Sequence, residues 1–190
     1  MRDQISISLN SLSETKTLAG CFALHLTPGL VVGLNGPLGV GKSAFARFII
    51  QAACGEMQDV PSPTFTLVQS YETEGGLPIM HMDLYRLTDP EEVFALGIED
   101  SFIEAANLIE WPIKMQDYWP QTAVNIELEY GAEEARLLTL SGPLSFFDSL
   151  RKNSAQQGLD VMRIGPLDGA RFNLLLLIIL VAINPKTLLR

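Results

Sequence analysis

Residues 36–43, Gly-Pro-Leu-Gly-Val-Gly-Lys-Ser, fit the pattern G-x-x-x-x-G-K-[ST]. The flanks fit as well. Gly29-Leu-Val-Val-Gly-Leu-Asn35 is a short apolar run that reads as a buried strand, and Ala44-Phe-Ala-Arg-Phe-Ile-Ile-Gln-Ala-Ala53 reads as a helix. Strand, glycine-rich turn and helix N-terminus are the three parts of a phosphate-binding P-loop. The glycines let backbone N–H groups turn inward around a phosphate chain, and the helix start adds unpaired donors and partial positive charge. Lys42 is placed to reach the β- and γ-phosphates, and the Ser43 hydroxyl to contact Mg²⁺. The motif specifies a nucleoside triphosphate and a magnesium ion; it names neither the base nor the use made of hydrolysis.

The chain has 190 residues, enough for one domain or one domain with a tail. Its net charge of −9 argues against a large basic nucleic-acid footprint, so any RNA would be held mainly by another protein. The two cysteines, Cys21 and Cys54, form neither a metal pattern nor a disulfide framework, which suits a reducing cytosol. The N-terminus alternates like a strand and lacks the apolar core of a signal peptide. The apolar run Leu174–Ile183 would span only about 15 Å as a helix, roughly half a bilayer core, so a membrane-spanning reading fails on length.

Outward from the loop, the pattern predicts a helix from Ser13, with Ser13 as N-cap, and an exit at Pro28-Gly29. Thr64–Tyr71 and Leu77–Tyr85 read as a strand pair around a Glu72-Thr-Glu-Gly-Gly turn. Asp89-Pro90 caps a further helix, Asn107–Trp111 is a short buried strand closed by Pro112, and Thr122–Tyr130 with Ala135–Leu140 form a last strand pair. Residues 151–158 read as a polar linker. The expectation is a three-layer α/β P-loop NTPase-like domain over residues 1–150, with a mixed parallel and antiparallel sheet, followed by a linker and apolar tail over 151–190.

Magnesium usually takes a second protein contact, often an acid at a strand end. Asp83 and Glu110 both end predicted core strands, although either could be a cap or a surface acid. Thr64, in Pro61-Ser-Pro-Thr-Phe-Thr66, could close on a γ-phosphate as a switch residue or simply start a strand. Trp111 could stack beside nucleotide or serve the core. His25 and His81 stand isolated, and Arg86 could meet phosphate or pair with an acid. The chain contains no Asn-Lys-x-Asp guanine-reading motif, so ATP is expected over GTP.

Taken together, Leu38-Gly-Val-Gly-Lys-Ser43, Ser62-Pro-Thr-Phe-Thr-Leu-Val68, Met82-Asp-Leu-Tyr-Arg-Leu87 and Ile109-Glu-Trp-Pro112 resemble the bacterial TsaE family over residues 5–140. The resemblance implies a cytoplasmic, Mg²⁺-dependent ATPase, weak alone. It would act with a TsaB–TsaD protein complex that makes threonylcarbamoyladenosine at position 37 of ANN-decoding tRNAs, with tRNA reached through the partners. On this chain the resemblance implies phosphate contacts from Leu38, Gly39, Val40, Gly41, Lys42 and Ser43, and Mg²⁺ contacts from Ser43 and Glu110. It implies switch and catalytic-support roles for Thr64 and Asp83, Trp111 beside the site, and residues near Ser13 close to adenine. Pro37 departs from the acidic residue frequent in the family, and the tail after residue 150 has no family counterpart. Two rival readings are a nucleotide-gated assembly module, in which binding rather than turnover matters, and a small-molecule kinase. The kinase usually needs an arginine-rich lid, and Arg86 stands alone between residues 48 and 135.

Overall fold

The computed structural model describes residues 2–157 and 162–163. Strand β1 (Arg2–Leu9) leads into helix α1 (Leu12–Ala23); β2 (Val31–Asn35) leads through the glycine-rich turn into α2 (Lys42–Cys54). The hairpin β3 (Val68–Glu72) and β4 (Pro78–Asp83) precedes a 3₁₀ segment at Pro90–Leu96, then α3 (Ile98–Glu104) and β5 (Ala106–Glu110). A second 3₁₀ segment at Pro112–Tyr118 leads to β6 (Val124–Tyr130), β7 (Arg136–Pro143), α4 (Leu144–Gln156) and the two-residue β8 (Met162–Arg163).

These strands form one mixed sheet in the order β3-β4-β5-β2-β6-β7-β1-β8. Strands β4, β5, β2 and β6 run parallel, and the pairs on either side are antiparallel. The residues explain the division. β2 and β5 are buried on both faces, as parallel strands covered on both sides must be. β1 instead alternates, burying Ile5, Ile7 and Leu9 while Ser6 and Ser8 face outward.

Two apolar clusters sandwich the sheet. On one face Leu18, Phe22, Phe45, Ile49 and Phe147, from α1, α2 and α4, pack on Val32, Leu34 and Leu108. On the other face Val93, Ile98 and Met115 cover Val31, Met82 and Ile109. This is the expected three-layer arrangement, with the loop and the strand ends β4 and β5 gathered at one edge.

Three local expectations are corrected. The cap of α1 is Ser11, not Ser13: the Ser11 hydroxyl accepts from Glu14 N–H, while Glu14 reaches back to Asn10 N–H. Residues 64–67 form a turn rather than the start of β3. The last rung there is Asp83 N–H to Leu67 O; beyond it Leu84 N–H bonds Glu110 O instead, leaving residues 64–66 no strand partner. Finally, residues 151–156 belong to α4, not to a linker. Its polar residues are the solvent side of an amphipathic helix whose other side buries Phe147, Leu150 and Ser154. The apolar run 174–183 lies outside the described residues.

Candidate functional site

The loop's shape is set by backbone conformation. Gly36 has φ +128°, and a Cβ there would lie 2.3 Å from Leu128 O, so no other residue fits without displacing β6. Gly41, with φ +116°, is the N-cap of α2 and offers no side chain to its first N–H groups. Those donors remain available to an anion. The loop is held from outside by the β6–β7 pair: Tyr130 O–H donates to Leu38 O at 3.1 Å, and Arg136 Nε–H to Val40 O at 3.0 Å.

Lys42 is only 4% exposed. Its Nζ donates to Gly36 O and Pro37 O, each at 2.9 Å, and lies 4.1 Å from the centre of the Trp111 ring. Burial lowers the ammonium's pKa from the usual lysine value, while the carboxylates of Glu110, Asp83 and Glu127 oppose that shift. Trp111 itself takes a left-handed conformation, φ 58°, where the chain leaves β5. Its indole also meets the Tyr85 ring at a centroid distance of 5.0 Å.

Parallel pairing of β4 with β5 sets Asp83 directly beside Glu110. Each acid is buried, and each is engaged differently. Glu110 accepts from Ser43 O–H through Oε2 at 2.9 Å, and its Oε1 lies 3.0 Å from His81 Nε2. Asp83 accepts from Thr64 O–H through Oδ2 at 2.6 Å and from Tyr85 N–H through Oδ1 at 3.0 Å. One acid therefore belongs to the loop serine and the other to the Thr64 turn.

A cavity of about 180 Å³ is lined by Lys42, Ser43, Thr64, Asp83, Glu110 and Trp111, together with Leu38, Gly39 and Gly41. Most residues anticipated from the sequence thus converge. Gly36 lies behind this cavity as an acceptor for Lys42, Val40 is buried, and Ser13 is exposed and lines neither this cavity nor the next. Arg86 stands over the Phe65 ring at 5.8 Å.

The oxygen pair of Ser43 and Glu110 suits Mg²⁺. Among the described residues no three His, Cys, Asp or Glu side chains group as a metal cage. Magnesium does not require one: it is commonly held by one or two protein oxygens, phosphate and water.

Sequence reasoning missed two features. His81, passed over as isolated, is fully buried against Glu110. A second cavity, about 350 Å³, opens on the other side of the loop, between the β1–α1 turn, α2 and β7. Ser11, Thr15, Phe48, Leu128, Arg136 and Leu138 are among its walls. These residues are scattered along the chain and mixed in type, so no motif marks them. A larger groove of about 550 Å³, walled by Cys21, Leu24, Ala53 and Leu77 among others, lies away from the loop and has no lysine or arginine among the described residues of its lining to receive a phosphate.

Strand, P-loop, helix and paired strand-end acids define a domain of P-loop NTPase-like fold. The crystal structure of YdiB from Bacillus subtilis shares it: the two superpose with a TM-score of 0.66 at 25% identity, covering 83% of this chain and 98% of that one. A family model, Threonylcarbamoyl adenosine biosynthesis protein TsaE, matches residues 9–138, and the chain belongs to the TsaE family. Similar proteins carry the name tRNA threonylcarbamoyladenosine biosynthesis protein TsaE. That of Rickettsia bellii is 42% identical over 133 residues, 70% of this chain and 92% of its own length. That of Bacillus subtilis is 34% identical over 129 residues, 67% and 79% respectively.

Proposed function

We propose that this chain is a Mg²⁺-dependent ATPase subunit for threonylcarbamoyladenosine formation at position 37 of ANN-decoding tRNAs, working in the cytoplasm with a TsaB–TsaD complex. The observation that carries the chemistry is the joining of Ser43 to Glu110 beside the Lys42 ammonium. Backbone N–H groups of residues 39–43 would hold the phosphates, and Lys42 would turn from Gly36 O and Pro37 O toward β- and γ-oxygens. Bound Mg²⁺ would neutralise phosphate charge, held by Ser43 and Glu110. Asp83, tied to Thr64, would orient the attacking water, and the wall of Lys42 and Trp111 would limit bulk water. The cavity beyond the loop would take the base and ribose, consistent with an ATP preference because no guanine-reading motif is present.

The Thr64 turn favours a second use of the same site, nucleotide-gated assembly. Thr64 bonds Asp83 directly, while its neighbour Phe65 is 86% exposed and Leu38, across the cavity mouth, is 75% exposed. A γ-phosphate bonded to Thr64 would fix this turn, and its apolar neighbours, in one conformation; ADP would not. With a net charge of −9, the chain would reach tRNA through its partners.

Turnover by the purified protein, with and without the two partner proteins and tRNA, tests the proposal. Slow Mg²⁺-dependent ATP hydrolysis alone, with partner association seen by size exclusion in an ATP analogue but not in ADP, is expected. Tight tRNA binding by the isolated chain, without nucleotide-dependent association, would defeat it. A variant that binds but does not hydrolyse ATP separates the readings: if it still supports modification, gating is the function.

A further inference from the structure

His81 sits on β4 at the register position beside Leu108, two pairs before Asp83 meets Glu110. Alternation along the strand places Ile79, His81 and Asp83 on one face. Ile79 belongs to the apolar cluster under α2, and Asp83 to the cavity. His81 is the step between them, with no exposed surface. An aliphatic side chain of similar volume would fill that space without burying a polar ring. The imidazole instead places Nε2 3.0 Å from Glu110 Oε1, and its Nδ1 has no hydrogen-bond partner among the described residues. Leaving a buried ring nitrogen unpaired carries a cost. Among the described residues, the one polar contact the ring makes is with Glu110.

The geometry gives that contact a purpose. A glutamate's terminal torsion is broad and roughly two-fold, so the carboxylate plane is not fixed by rotamer preference. Holding Oε1 leaves Oε2 pointed at Ser43, where it accepts the hydroxyl at 2.9 Å. A carboxylate oxygen only accepts, so the contact calls for a hydrogen on Nε2, which donates to Glu110 Oε1. Groups facing a metal ligand from behind in this way orient it, and their loss typically costs about 10–100-fold in metal affinity.

We propose that His81 is a positioning residue for Glu110. It orders the carboxylate that, with Ser43, receives Mg²⁺, and so sets the metal requirement of nucleotide binding without touching nucleotide itself. The inference rests on the Mg²⁺–nucleotide reading of the site given above.

Isothermal titration of a non-hydrolysable ATP analogue tests it, run across a Mg²⁺ series and again in EDTA, on wild type, His81→Leu and His81→Gln. Gln can present an N–H donor near the place of Nε2; Leu cannot. His81→Leu should raise the Mg²⁺ concentration for half-maximal effect by about tenfold or more, with analogue affinity in EDTA unchanged, and His81→Gln should recover most of that loss. A wild-type Mg²⁺ response in a folded His81→Leu protein would overturn the proposal. So would equal losses in both variants that persist in EDTA, since that marks a packing role. If wild type itself shows no Mg²⁺-dependent analogue binding, the nucleotide-site reading fails and His81's role with it. If wild type shows it and His81→Leu matches, only the positioning role falls.

Discussion

The two cavities that flank the loop are built from different materials. The smaller holds an ammonium, two carboxylates and two hydroxyls within hydrogen-bonding reach of one another or of the loop backbone. The larger is walled mainly by apolar side chains of β1, α2 and β7, and Arg136, the one cation among the described residues of its lining, braces Val40 O. Charge on one side and shape on the other is the division a triphosphate with an attached nucleoside requires. It also implies unequal sensitivity: changes on the charged side should strike turnover and metal use, and changes on the apolar side mainly affinity.

The sharpest way to break that comparison is Lys42→Ala. With the ammonium gone, turnover should fall on the order of 10³-fold and ATP binding should weaken, while the thermal unfolding midpoint stays near wild type. A folded variant with unimpaired turnover would remove the charged side from the chemistry. Asp83→Asn comes next: steady-state turnover should drop on the order of 10²-fold with ATP affinity nearly preserved, because Asp83, bonded to Thr64, is the residue proposed to orient the attacking water. Glu110→Gln should instead raise the Mg²⁺ requirement by a few tens-fold. Mg²⁺ titration of both variants separates the acids, and exchanged phenotypes would exchange their roles.

On the other side, Arg136→Ala removes the 3.0 Å bond to Val40 O and the guanidinium standing 4.9 Å from the Tyr130 ring centre. It should weaken ATP about fivefold, the worth of about one hydrogen bond, and leave turnover at saturating ATP close to wild type. A turnover defect as large as that of Asp83→Asn would erase the distinction between the cavities.

The smallest expected effect is on stability. Burial lowers the Lys42 pKa from 10.5 in the folded chain, so the unfolded chain holds that proton more tightly. Stability should therefore rise with pH through the window between the folded value and 10.5, where the folded state has shed the proton first. Lys42→Met should flatten that alkaline rise in denaturant titrations, and an unchanged slope would contradict it.

The contrast also decides what could be read from the sequence. Lys42, Ser43, Thr64, Asp83, Glu110 and Trp111 lie in short ordered motifs, as the proposed phosphate and metal chemistry would restrict residue type, and the buried strands leading to them show as apolar runs. The apolar cavity restricts only shape. Phe48 and Leu138 read as ordinary core residues, and Ser11 became visible as a cap only through its bond from Glu14 N–H. His81 was missed because its meaning depends on the β4–β5 register, which a lone histidine in a strand does not announce. Two errors had local causes. Thr64–Leu67 carries strand-like residues but lost its partner when Leu84 turned to Glu110, and residues 151–156 looked like a linker because only Ser154 of that stretch is buried.

A crystal structure of the chain with a non-hydrolysable ATP analogue and Mg²⁺ tests the division most directly. The account predicts phosphates on the backbone of residues 39–43, the metal between Ser43 Oγ and Glu110 Oε2, and the adenine in the cavity beside Phe48 and Arg136. Phosphates seated away from the loop, or a metal held without Glu110, would contradict it.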